Sequence, residues 1–243
     1  MKHTSLALWV AFALPATAVI AGDGIPHLEH QGSTEQLVVD GRPYLILGGE
    51  LHNSSSSSLD YMKTIWPGLE NMHLNTVLTT VSWELIEPKE GNFDFTVVDG
   101  LIHDARRNQL HLVILWFGSW KNSMSSYVPA WVKTNQVRFP RAETSDGKGL
   151  EILSPFNEMN RDADEMAFAA LMRHLRVVDG QKHTVIMVQV ENEIGMIPEA
   201  RDHSAIADEI FSNAVPRGLM DHLLQHKGAL LPEFHAILGE GGI

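Results

Sequence analysis

Asn192 and Glu193 follow an uninterrupted run of strand-forming residues, positions 184–190, with Glu191 between the run and the pair. A carboxyl group at the mouth of a buried strand can protonate the oxygen of a leaving group. A neighbouring amide can hold a hydroxyl, so the two together suit acid-assisted cleavage of a sugar linkage. To serve as that acid, Glu193 needs a raised pKa, which a partly buried, carboxylate-rich site can give. Glu191 lies two residues away and in a regular strand would point to the same face. Strand geometry commonly breaks at such a mouth, so the two are not read as a working pair. On spacing alone, Glu193 is equally readable as a solvated strand-end carboxylate.

Three other places offer related chemistry. Glu50 and His52 flank Leu51 and share a face. They suit contacts to sugar hydroxyls or ordinary rim hydrogen bonds, and two ligands are too few for a metal site without a third. The thirteen histidines show no HExxH-like spacing, so neither a metal nor a cofactor is expected. Trp83 and Glu84 close a second strand, and Trp120 follows a third. An indole can stack on a sugar face or fill the core, and both readings stay open here. Trp116 is read in the same way, and by position Trp120 is more exposed than Trp116. The segment from Glu87 to Phe95 reads as a shaped turn, with Gly91 supplying positive φ.

The elements that position these residues alternate. Residues 37–44 read as a hairpin with Asp40-Gly41 at its turn, and residues 22–36 as a polar arm. Strands are expected at 45–50, 76–81, 111–117 and 184–190. Helices are expected at 59–72 (interrupted near Pro67), 97–108, 162–178 and 205–225 (broken at Pro216). The apolar side of the third helix is assigned to Met166, Ala169, Ala170, Leu171 and Leu175. The serine run at 54–58 reads as a solvated loop that can cap the next helix. Residues 119–160 read as a long loop over the strand ends. Four β-α units with polar residues at each strand end imply an α/β fold of (β/α)8 type. A doubly wound open sheet is the alternative, but no glycine-rich phosphate fingerprint follows the first strand.

Composition narrows the partners. A net charge of −12 argues against nucleic acid and against an anionic membrane surface. There are no cysteines, so disulfides and thiolate metal sites are excluded. The basic start, the short apolar stretch and Pro15-Ala16-Thr17-Ala18 read as a signal peptide over residues 1–21. The expectation is an exported chain, periplasmic or extracellular, whose mature part is residues 22–243 and whose partner is an oligosaccharide or polysaccharide. Nothing in the sequence fixes an oligomeric state.

Several segments together resemble one family. Gly48-Gly49-Glu50-Leu51-His52 resembles the first-strand motif of glycoside hydrolase family 35. Leu74-Asn75-Thr76-Val77, Val81-Ser82-Trp83-Glu84 and the Glu87 to Phe95 turn are similar to the second-strand region of families 35 and 42. The octapeptide at 188–195 resembles the fourth-strand motif of family 35, and its Asn-Glu pair marks the wider clan of retaining (β/α)8 glycosidases. The resemblance implies β-galactosidase-type activity, with Glu193 as general acid/base and Asn192 on the sugar 2-hydroxyl. The chain departs from the family at Glu84, where Asn is usual, and at residues 115–120, where an Arg-Pro-Gly-Pro-Tyr type segment is usual. In this clan the nucleophile is a Glu at the end of the seventh strand. Three further β-α units would have to follow the fourth strand, and no strand pattern holds Glu240. The chain therefore reads as about the first half of a barrel, with open sheet edges, a tendency to associate and negligible turnover alone. Two other readings are a non-catalytic carbohydrate-binding remnant and a metal-dependent hydrolase built on His52 and Glu50.

Overall fold

The computed structural model describes residues 24–234, apart from positions 123 and 198. The segment read as a signal peptide and Glu240 lie outside the described residues.

A three-stranded antiparallel ladder comes first: β1 (His27–Gln31), β2 (Thr34–Val39) and β3 (Arg42–Pro43). Asp40 and Gly41 both take positive φ, 50° and 71°, as a two-residue Asp-Gly hairpin turn requires. β1 replaces the expected polar arm. Every one of its residues is exposed, so it has no apolar alternation to reveal it.

The main sheet is parallel, in the order β4 (Gly48–Glu50), β5 (Thr76–Ser82), β6 (His111–Phe117) and β9 (Val185–Val190). Strand order follows chain order, and all four carboxyl ends lie along one edge. Residues 45–47 stay outside β4, yet Asn75 holds them: Leu47 N–H donates to its Oδ1 at 2.8 Å and its Nδ2 donates to Leu45 O at 2.8 Å. β5 is buried at six of its seven positions, as a parallel strand covered on both sides must be.

Four helices, one of them a single turn, cover one face. α1 (Leu59–Asn71) is capped by Ser58, whose side chain accepts from Tyr61 N–H, and buries Met62, Trp66 and Leu69. It runs through Pro67 without the expected interruption. Pro67 sits on the exposed side, where water can satisfy the carbonyl that loses its N–H partner. α3 (Thr96–Arg107) buries Val98, Leu101, Ile102 and Ala105, and the one-turn α2 (Trp83–Ile86) lies directly after β5. α5 (Glu158–Val178) begins at the Asn157 cap and turns Asn160, Asp164, Ala167, Leu171 and Leu175 inward. Met166 is outside at 63% exposure, which corrects the apolar side read from sequence. Asp164 occupies a position on that stripe where a hydrophobe would be ordinary. These helices and the sheet enclose one core, including Val77, Leu112, Ile114 and Trp116. The opposite face packs Val113, Leu115, Phe117 and Ile186 against Val39 of the ladder.

The long segment before α5 is structured. It contains α4 (Ala130–Lys133) and a hairpin of β7 (Arg141–Glu143) and β8 (Gly149–Leu153), turned at Gly147 with φ 79°. Asp146-Gly147 ahead of the apolar residues of β8 is the sequence signal that marks it. α6 (Ala205–Ser212) and α7 (Arg217–Gln225) come last, with Pro216 at the α7 cap. β4 and β9 are the two edge strands, and Met187 and Val190 on β9 are 42% and 61% exposed. Four parallel strands with their helices make part of a (β/α)8 barrel. Among the described residues, no helix is long and apolar enough to cross a membrane.

Candidate active site

The β9 strand ends in two non-glycine residues with positive φ, Glu191 at 61° and Glu193 at 44°. Side chains rarely take this conformation, and it recurs at functional sites. Here it sends the two carboxyl groups to different places, so they do not share a face.

Glu193 lies over the turn that follows β6. Its Oε2 accepts from Lys121 Nζ at 2.9 Å and from Asn122 Nδ2 at 3.1 Å, and its backbone carbonyl accepts from Trp120 Nε1 at 3.1 Å. The Lys121 side chain is 7% exposed and that of Glu193 is 62% exposed. Hydrogen bonds from Lys121 and Asn122, with the lysine charge, hold the Glu193 carboxyl below the usual carboxylate range. This is opposite to the raised pKa expected of an acid, because the group beside Glu193 is a cation.

Asn192 is fully engaged. Its Nδ2 donates to Lys121 O at 3.1 Å and its Oδ1 accepts from Gln189 Nε2 at 2.7 Å. Its backbone N–H reaches Trp120 O at 3.3 Å. In this arrangement Asn192 ties the two strand-end turns together.

Glu191 points toward α5. Its Oε2 accepts from Trp120 N–H at 2.8 Å. Burial, followed by hydrogen bonding to Asp164 and the Asp164 charge, pushes its pKa up to about 10. Asp164 is buried and accepts from Trp116 Nε1 at 2.9 Å, Ser119 N–H at 2.7 Å and Ser119 Oγ at 2.5 Å. Gly118 makes this crowding possible. A Cβ there would meet Asp164 Oδ1, Glu191 Oε1 and Trp116 Nε1, each at 2.5 Å. Gly118→Ala is therefore expected to cost about 2–3 kcal/mol by overpacking, read as a lowered urea midpoint.

The two tryptophans are not open platforms, which corrects the sugar-contact reading of both. Trp83 is fully buried, packs edge-to-face on Trp131 with centroids 5.8 Å apart and donates from Nε1 to Glu87 Oε2 at 2.7 Å. β5 passes directly into α2 there, and that bend turns the ring into the helix-side core. Trp120 is 8% exposed beneath the β7–β8 hairpin, against Ala142 and Ile152. Glu84 is ion-paired with Lys133 at 2.9 Å. Glu50 and His52 are exposed beside the far edge strand, with β5 and β6 between them and β9. Among the described residues, no cluster of three or more His, Asp or Glu is placed to hold a metal. The Glu87 to Phe95 turn is structural: Glu87 Oε1 accepts from Gly91 N–H at 2.7 Å, and Gly91 has φ 73°.

Sequence reasoning missed Lys121 and Asp164. Lys121 gave no signal beyond following Trp120. Asp164 did give one, since it falls at helical spacing with Ala167, Leu171 and Leu175.

Comparison with known proteins agrees with this architecture. Over 226 residues the chain is 31% identical to a β-galactosidase of Xanthomonas manihotis, a match covering 86% of this chain and 33% of that protein. It thus spans about a third of the length of that curated relative. Its fold is similar to a β-galactosidase from Bacillus circulans sp. alkalophilus (TM-score 0.54, 16% identity, 75% of this chain and 24% of that one). It is also similar to a catalytic mutant of Gan42B, a GH42 β-galactosidase from G. stearothermophilus (TM-score 0.51, 21% identity, 68% and 23%). The model of glycosyl hydrolases family 35 matches residues 36–222, most of the chain, and the chain belongs to that family.

Proposed function

We propose that this chain supplies the acid/base half of a retaining glycosidase acting on terminal β-galactosides, with Glu193 as the general acid/base. The observation that carries this reading is the position of Glu193 at the carboxyl end of β9, exposed at the rim where barrel enzymes do their chemistry. Retaining cleavage sets a second carboxylate about 5–5.5 Å away to attack the anomeric carbon. The strand-end carboxylates described above do not serve. Glu191 is turned to Asp164, Glu84 to Lys133, and Glu50 stands on the far edge strand with two strands between. A carboxylate brought opposite Glu193 would also raise its pKa by like-charge repulsion, offsetting Lys121 and giving it the proton an acid must hold. Asn192 reaches a sugar hydroxyl in this reading by exchanging its bond to Gln189.

Two experiments test the assignment. The purified chain is expected to hydrolyse 4-nitrophenyl β-galactoside only at background rate. A chimera carrying residues 36–222 in place of the matching segment of the X. manihotis enzyme is expected to turn over. In that chimera, Glu193→Gln should lower kcat by about 10²-fold, the lower end of the range for acid–base assistance because nitrophenolate leaves readily. Unchanged turnover in Glu193→Gln would remove Glu193 from the acid/base role. We also propose that the chain is exported, on the residues read as a signal peptide. Amino-terminal sequencing of the exported product should then begin at Val19 or Gly22, and a product starting at Met1 would contradict it.

A further inference from the structure

The acid/base reading leaves one buried cluster unused, on the helix side of the rim. We propose that Asp164 and Glu191 share a single proton, and that this pair positions Glu193 by holding the turn at residues 120–122 against it. The inference rests on the acid/base reading of Glu193.

The geometry supports it in three ways. First, the two carboxyl groups face one another across Gly118, each with an oxygen 2.5 Å from the point where a Cβ would stand. Two carboxylates so close and so shielded cannot both ionise without a cation between them. The nearby cations are committed elsewhere: Lys121 to Glu193 at 2.9 Å, and Arg161 to Asp162 at 2.7 Å. Second, the donors are divided unequally. Asp164 receives three, from Trp116 Nε1, Ser119 N–H and Ser119 Oγ, as an anion would. Glu191 receives Trp120 N–H on Oε2 and lies within reach of Ser119 N–H, while its Oε1 faces Asp164 across Gly118, placed to carry the proton. Third, the pair leads directly to Glu193. Glu191 fixes the Trp120 backbone, Trp120 Nε1 holds the Glu193 carbonyl, and the next two residues bind its carboxylate. Glu191 is therefore a positioning residue, and so is Asp164.

The test is a carbon-13 NMR titration of the carboxyl groups in the 243-residue chain, compared with Glu191→Gln and Asp164→Asn. In the wild type, the Glu191 carboxyl should keep its protonated shift past neutral pH. Titration of Glu191 in the ordinary glutamate range would overturn the proposal without any variant. Glutamine reproduces a protonated Glu191, with an oxygen for Trp120 N–H and an N–H for Asp164. Glu193 should therefore titrate in Glu191→Gln as it does in the wild type. A fall in its titration point, or a chain that no longer folds, would show that an anion is required and overturn the idea. Asparagine at 164 cannot accept all three donors, so the turn is released and Glu193 titrates higher, in the ordinary range. A Glu193 that stays put or moves lower in Asp164→Asn counts against the positioning role. If Asp164→Asn does not fold, the wild-type titration of Glu191 decides. Unchanged turnover of the Glu193→Gln chimera would remove the acid/base role of Glu193 yet leave these titrations readable, so the two ideas fail separately.

Discussion

Glu191→Gln should be more stable than the wild type at pH 9, with an advantage that shrinks as the pH is lowered. Glu191 titrates near 10 in the fold, raised by burial and by Asp164, whereas an unfolded glutamate titrates near about 4.3. Between those values the folded chain holds one proton that the unfolded chain has released. Raising the pH therefore favours unfolding, and the contribution is complete only below the unfolded value. The slope from this one group is at most about 1.4 kcal/mol per pH unit, and glutamine abolishes it. Urea midpoints of both proteins at pH 5, 7 and 9 measure the effect. Parallel curves for the two proteins would mean that Glu191 is ionised in the fold. The result bears on function because a site that gains stability by losing a carboxylate has kept it for another reason.

Trp83→Ala should destabilise the chain by about 3–5 kcal/mol, a large fraction of the roughly 5–15 kcal/mol that holds a typical domain. The indole has no exposed surface, and its removal opens a cavity in the helix-side core beside Trp131. It also takes away the Nε1 donor of Glu87, which is 4% exposed and would keep only Gly91 N–H. An uncompensated buried carboxylate is costly, which places the loss at the upper end. Trp83→Phe keeps most of the volume and should lose roughly 1.5–3 kcal/mol, the worth of a hydrogen bond to a charged group. A stacking platform behaves differently: the same change would weaken galactose binding while the melting temperature stayed put. Thermal melts beside galactose titrations separate the two.

The parallel sheet was legible because its strands are short apolar runs divided by helical periodicity, and Asn192 and Glu193 were legible because they close the last of those runs. What surrounds them was not. Asp164 is 27 positions before Glu191 in the chain, and only the docking of α5 against β6 and β9 brings the two carboxyl groups together. A regular strand would put Glu191 and Glu193 on one face, and two left-handed residues make the break expected at the strand mouth. The tryptophans stayed open between platform and core for a related reason, since the direction of a ring at a strand end depends on how the chain turns away. Trp83 turns into α2, and Trp120 is roofed by a hairpin that the sequence reading took for loop. Pro67 shows the opposite error, where a local rule was obeyed by placing the residue on the wet side of α1.

The order of the main sheet, β4-β5-β6-β9, repeats the order of synthesis. Each strand after β4 therefore finds one neighbour already made as it leaves the ribosome, and the sheet can grow by accretion from its amino-terminal edge. β9 joins last of the four, and Asp179 clamps it at its start by accepting from Thr184 N–H at 3.1 Å and Val185 N–H at 2.7 Å. Lys121, Asn122 and Asp164 are thus in the nascent chain before the strand that delivers Glu191 and Glu193. A chain ending before residue 185 would present a three-stranded layer whose donors, Lys121 and Asn122, are in place before the carboxylate that accepts from them.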